Sequence, residues 1–166
     1  MTAARALQPL REVEVSLTVN GQAWSGMVPV EEVLLELLRE RLGLVGTKRS
    51  CESEVCGACT VLVDGTPVSS CTHLAWESGG KSVTTVEGLA TDGQLDALQE
   101  AFIAHSALQC GFCTSGMLMT AKALLTHNPA PTSEEVKQWM EGNICRCGCY
   151  PAIVGAILDA AAEMRR

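Results

Sequence analysis

Nine cysteines stand in two groups along the 166 residues, and no other feature narrows the possible folds as much. The first group is SCESEVCGACTVLVDGTPVSSC: Cys51, four residues, Cys56, two residues, Cys59, eleven residues, Cys71. The second is QCGFC, with Cys110 and Cys113, and then NICRCGC, which begins its cysteines at Cys145, 32 positions after Cys113, and continues with Cys147 and Cys149. An odd number of cysteines cannot pair completely into disulfides within one chain. The opening MTAARALQPLREVEV has no apolar leader core and no twin arginine before one. The cytoplasm is therefore the expected compartment, where thiols serve metals rather than disulfides.

The C-x4-C-x2-C spacing with a distant fourth cysteine is the plant-type [2Fe–2S] pattern. A compact loop can present three thiolates while a hairpin returns the fourth, and thiolate is the soft donor that iron–sulfur clusters and zinc select. Zinc is the competing reading, although zinc ribbons usually carry two short C-x2-C knuckles. Gly57 and Ala58 leave backbone N–H groups free to face sulfur, and such bonds tune reduction potential. In the second half, Cys110, Cys113, Cys145 and Cys147 make another four-thiolate set, suited to a second [2Fe–2S] cluster or to zinc. Cys149 is then left over and is expected to pack as a small buried thiol where the last helix begins.

The intervening sequence divides into two kinds of pattern. VEVSLTV (13–19) alternates apolar and polar residues as a half-buried strand does, Asn20-Gly21 is a hairpin turn, and QAWSGMV returns. Helical spacing over VEEVLLELLRERLGL (30–44) predicts a helix stopped at Gly43. TVLV and TPVS flank the turn Asp64-Gly65, and KSVTTVEGL supplies a further short strand. Beyond residues 78–92, where Ser, Gly, Thr and Asp accumulate, four helices are expected. They are GQLDALQEAFIAHSAL, SGMLMTAKALLTHN, TSEEVKQWM with a Thr132/Glu135 capping box, and PAIVGAILDAAAEMRR, opened by Pro151 and closed by arginines. The class is α+β.

Charge and motifs remove other functions. A net charge of −7 offers no basic field to nucleic acid. No apolar run reaches the roughly 18–20 residues of a membrane span. No G-x-G-x-x-G links a strand to a helix, and no acid–base or nucleophile constellation is evident.

The run GTKRSCESEVCGACTVLVDG, with QCGFCTSGM and GNICRCGCY, resembles the iron–sulfur subunit of the molybdenum hydroxylases, the xanthine dehydrogenase, aldehyde oxidoreductase and carbon monoxide dehydrogenase family. The resemblance covers residues 12–162. It implies a plant-ferredoxin-like β-grasp domain (1–80) followed by an α-helical four-helix-bundle domain (81–166), each with one [2Fe–2S] cluster. It further implies a large partner subunit with molybdopterin (Mo) and a medium subunit with FAD. Cys110, Cys113, Cys145 and Cys147 would hold the cluster nearer molybdenum, Cys51, Cys56, Cys59 and Cys71 the outer one, and Gln109 would hydrogen-bond the pterin. The chain departs from the family at Ser50 and Glu54, where glycine is frequent, and at Cys149, where a small non-cysteine residue is common. It departs again at Ser115, which replaces a common proline and would serve as a helix N-cap.

The expected role is electron transfer between molybdopterin and FAD or an external acceptor, with substrate chemistry left to partners. A freestanding two-cluster ferredoxin and a zinc-stabilised interaction module are the alternatives. Arg146 is read either as offsetting cluster charge or as a surface arginine. Lys48 and Arg49 are read as solvated loop charges, and His73 as a non-ligand. His105 and His127 are expected on helix surfaces, Met117 and Met119 in the core, and Trp139 as an anchor.

Overall fold

The structure is a computed structural model and describes residues 11–165; the leader reading falls largely outside them. Strands β1 (Glu12–Val19) and β2 (Gln22–Pro29) form the expected hairpin, with Leu17 opposite Trp24 and Val19 opposite Gln22. Asn20 and Gly21 both take positive φ, as the tight turn demands. Strands β3 (Thr60–Val63) and β4 (Thr66–Ser69) form a second hairpin about Asp64-Gly65. β5 (Ser82–Thr84) runs parallel to β1 and antiparallel to β3, giving one mixed sheet in the order β2-β1-β5-β3-β4. Asn20 ties the first turn to the end of β5, since its amide donates to Thr85 Oγ1 and its Oδ1 accepts from Thr85 N–H.

The first helix is shorter than its periodicity suggests. Val33 is extended and bridges Leu74, so α1 starts at Leu34, runs to Glu36, and continues as a π-helical turn over Leu37–Arg41. Its first N–H groups are satisfied from outside, Leu34 by His73 O and Leu35 by Ser70 O. That anchorage overrides the apolar spacing at Val30 and Val33. Leu34, Leu37 and Leu38 are fully buried against Val15, Val61 and Val83 of the sheet, each stabilising the fold by about 2 kcal/mol.

The second half holds α2 (Ala97–Ala104), α3 (Thr114–His127), α4 (Ser133–Trp139) and α5 (Tyr150–Glu163). α2 packs on α5 and α3, and α4 packs on the same two helices. Asp96 caps α2 and accepts Lys122 of α3 at 2.6 Å. The Thr132/Glu135 capping box of α4 is present. Phe102, Met117, Met119, Leu124, Ile153 and Ile157 fill the centre, so the two methionines are core. Two local expectations fail. Ser115 lies inside α3, whose N-cap is Cys113, and its hydroxyl is buried without a partner. The last turn of α5 carries no basic residue, and Arg165 instead donates to Pro129 O. Among the described residues no helix is long and apolar enough to cross a membrane.

Candidate metal centres

The segment leading to the first thiol is fastened by its own cations. Arg39 donates to Val45 O and Thr47 O, Lys48 to Val45 O, and Arg49 joins Glu36 to Glu52. Lys48 and Arg49 are therefore loop fasteners, not simply solvated charges. Glu52 and Glu54 adopt φ of 55° and 63°, left-handed positions occupied here without glycine. The turn aims the N–H groups of Ser53, Cys56 and Val55 at the exposed Cys51 thiol, which falls to about 6. Cys59 and Cys71 are buried together where β3 starts and β4 has ended, with Ser70 Oγ donating to Cys59 O at 2.7 Å. Burial raises the Cys59 thiol to about 11.

In the helical half, Cys110 lies in the loop before α3, Cys113 caps that helix, and Cys145 and Cys147 lie in the loop before α5. The Cys147 and Cys110 sulfurs are 3.5 Å apart. Cys113 contacts Cys145, and burial together with that neighbour pushes the Cys113 thiol to about 12. The N–H of Phe112 and the Cys147 thiol hold Cys110 below its ordinary value. Cys145 is fixed at three atoms: its N–H donates to Tyr150 Oη at 2.8 Å, its carbonyl accepts from Gly148, and its sulfur accepts from Cys149 N–H. Cys149 is 8% exposed and caps α5.

In the sheet half Cys59 meets Cys71; in the helical half Cys110 meets Cys147, and Cys145 meets both Cys113 and Cys149. Among the described residues no three or more His, Cys, Asp or Glu side chains converge as for a single ion. A [2Fe–2S] group is held by four cysteine thiolates, the number in each set. The donor set and its aimed N–H groups fit the binuclear group.

The loops of the two sets touch through backbone. Ile144 N–H donates to Cys56 O at 3.0 Å, and the Asn143 side chain, 4% exposed, donates to Gly57 O at 3.2 Å. On the other side Gly116 of α3 abuts the same Gly57 carbonyl, with no room for a Cβ. Asn143, Tyr150 and the Gly57–Gly116 contact were not singled out by sequence; a glycine one turn inside α3 was the one available sign of close approach.

The remaining polar candidates have ordinary roles. His73 Nε2 faces Ser78 Oγ at 3.0 Å and His105 pairs with Asp159 at 2.6 Å. His127 stacks on Trp139, whose Nε1 donates to Thr120 O. Arg146 and Gln109 are exposed beside the second set.

Thiolate character sets alkylation rate. Iodoacetamide on metal-free protein at pH 7 is therefore expected to label Cys51 first and Cys59 and Cys113 last, as read by peptide mass spectrometry.

Three comparisons carry these features further. A 2Fe-2S iron-sulfur cluster binding domain matches residues 17–83, and a [2Fe-2S] binding domain matches 85–158. The chain is 50% identical over 156 residues to the nicotine 6-hydroxylase small subunit of Paenarthrobacter nicotinovorans, covering 94% of each. It is 44% identical to the nicotinate dehydrogenase small FeS subunit of Eubacterium barkeri, covering 89% of this chain and 94% of that one. The crystal structure of quinoline 2-oxidoreductase from Pseudomonas putida 86 superposes with a TM-score of 0.88 at 50% identity, over 92% of this chain and 94% of that one. Fold and site thus define an electron-transfer protein with two [2Fe–2S]-binding domains. The chain belongs to the iron–sulfur small subunits of the molybdenum hydroxylase family.

Proposed function

We propose that this chain carries electrons from a molybdopterin centre in a large partner subunit to FAD in a medium subunit, or to an external acceptor, in the cytoplasm. Residues 1–80 are taken as the β-grasp domain, whose sheet also takes in β5 from just beyond that bound, and 81–166 as the four-helix bundle. Cys110, Cys113, Cys145 and Cys147 are assigned to the inner cluster, with Gln109 toward the pterin. Cys51, Cys56, Cys59 and Cys71 are assigned to the outer one. When bound, each cluster supplies reversible one-electron redox chemistry.

The observation that carries this reading is the Ile144 N–H bond to Cys56 O. It leaves one hydrogen bond between the backbone of an outer ligand and the residue preceding an inner ligand. Asn143 and Gly116 hold the two loops in that contact. Substrate chemistry is assigned to the partner subunits. Nicotine, nicotinate and quinoline, named for the three relatives, are nitrogen heteroaromatics, and we extend that class to the complex.

Purification from the native host tests the assignment. The chain is expected to elute with a large molybdopterin-bearing chain and to contain two irons and two sulfides per cluster. Equimolar zinc without a reducible chromophore would refute it, and a monomer that never co-elutes would make it a free ferredoxin.

A further inference from the structure

Tyr150 is the first residue of α5, and its hydroxyl reaches back five positions to the backbone of Cys145. The bond is 2.8 Å long, with the Cys145 N–H as donor and the phenol oxygen as acceptor. The preceding N–H, that of Ile144, is the one given to Cys56 O. Two consecutive amides are therefore pinned in different directions, one to the outer thiol loop and one to Tyr150. They belong to the adjacent peptide units 143–144 and 144–145, hinged at the Ile144 Cα, and the first of these carries the bond to the other set. Pro151 follows at the start of α5 and restricts the backbone that carries the phenol. The ring is 42% exposed and forms one wall of a cavity of about 330 Å³ with Met117, Ile144 and Ile153. The ring thus borders open space, while its oxygen accepts from the backbone of Cys145.

We propose that Tyr150 is a positioning residue for the inner cluster: its hydroxyl occupies the Cys145 N–H, fixes the 144–145 peptide, and so sets both the potential of that cluster and its coupling to the outer one. The inference rests on the assignment of Cys145 as an inner ligand. The physical reason is the orientation of two dipoles. As long as the phenol oxygen accepts the Cys145 N–H, that hydrogen is compensated. Without the oxygen, the N–H becomes an uncompensated positive end beside the thiolates, which favours the more negatively charged reduced state.

The test uses the purified complex with Tyr150→Phe, followed by EPR redox titration of both clusters. Both clusters are expected to load fully. The inner midpoint potential should move positive, the outer should stay where it is, and the magnetic interaction between the two should weaken. An unchanged inner potential, or equal shifts in both clusters, overturns the proposal. Should Tyr150→Phe not assemble, 3-fluorotyrosine at position 150, a weaker acceptor of nearly the same shape, is expected to give a smaller shift of the same sign; no shift there overturns it as well. Loss of iron from the wild-type complex would instead refute the cluster assignment.

Discussion

Gly116→Ala is expected to lower stability by about 3 kcal/mol and the melting temperature by about 10 °C. A Cβ at this position would overlap the carbonyl oxygen of Gly57, with the Ala58 Cα at 3.1 Å behind it. Both obstacles are backbone, so no side chain can rotate away. Relief requires α3 to withdraw from the thiol loop, which also strains the Asn143 and Ile144 hydrogen bonds across the same junction. Gly57→Ala attacks the contact from the other side. Its φ is +67°, and its Cβ would lie 2.5 Å from both Gly142 O and Asn143 Nδ2. The double variant should lose less than the two single losses together, because the two clashes fall on opposite sides of one junction and either one already opens it. Thermal unfolding checks the stability, and EPR splitting between the clusters checks the geometry. A wild-type melting temperature with undiminished splitting would show that the loops are not held by this contact.

What the sequence revealed was local, and what it concealed was contact between distant segments. Asn20-Gly21 and Asp64-Gly65 announce their turns because their backbone conformations restrict residue choice. The Thr132/Glu135 box is equally short-range. Ligand spacing is legible because a metal group demands particular donors at particular reach. Val30 and Val33 mislead because apolar periodicity cannot report that Leu74 will claim Val33 as a bridge partner. Ser115 misleads for a related reason: a good capping residue caps only where the helix begins, and here Cys113 begins it. Tyr150 could not be read at all. Its hydroxyl acts on Cys145 through the fold of a loop, and tyrosine at a helix start carries no signature of a backbone acceptor.

Cys113→Ser is expected to remove one EPR-visible cluster and leave the other intact. Serine keeps the size and backbone role of Cys113, including the carbonyl that accepts Met117 N–H at the start of α3. It replaces a soft thiolate by a hard hydroxyl that [2Fe–2S] groups do not favour. Cys145, its contact partner, is left without the second donor of the pair. Metal binding contributes directly to folding free energy, so the helical half should also lose stability while the sheet half does not. The outer thiols have support of their own: Cys59 and Cys71 pack with Leu35, and Val61 and Val63 beside them face the sheet core, while Leu62 of β3 faces the helical one. About half the iron should therefore remain, with the outer signal at its original potential. Cys149→Ser is the matched control. Its thiol lies against Cys145, as that of Cys113 does, but stands outside the proposed set of four, so both clusters should persist. Loss of both signals from folded Cys113→Ser protein would contradict two independent sites. Loss of the inner signal from Cys149→Ser would show that the fourth inner ligand is Cys149, the thiol that α5 buries at its cap.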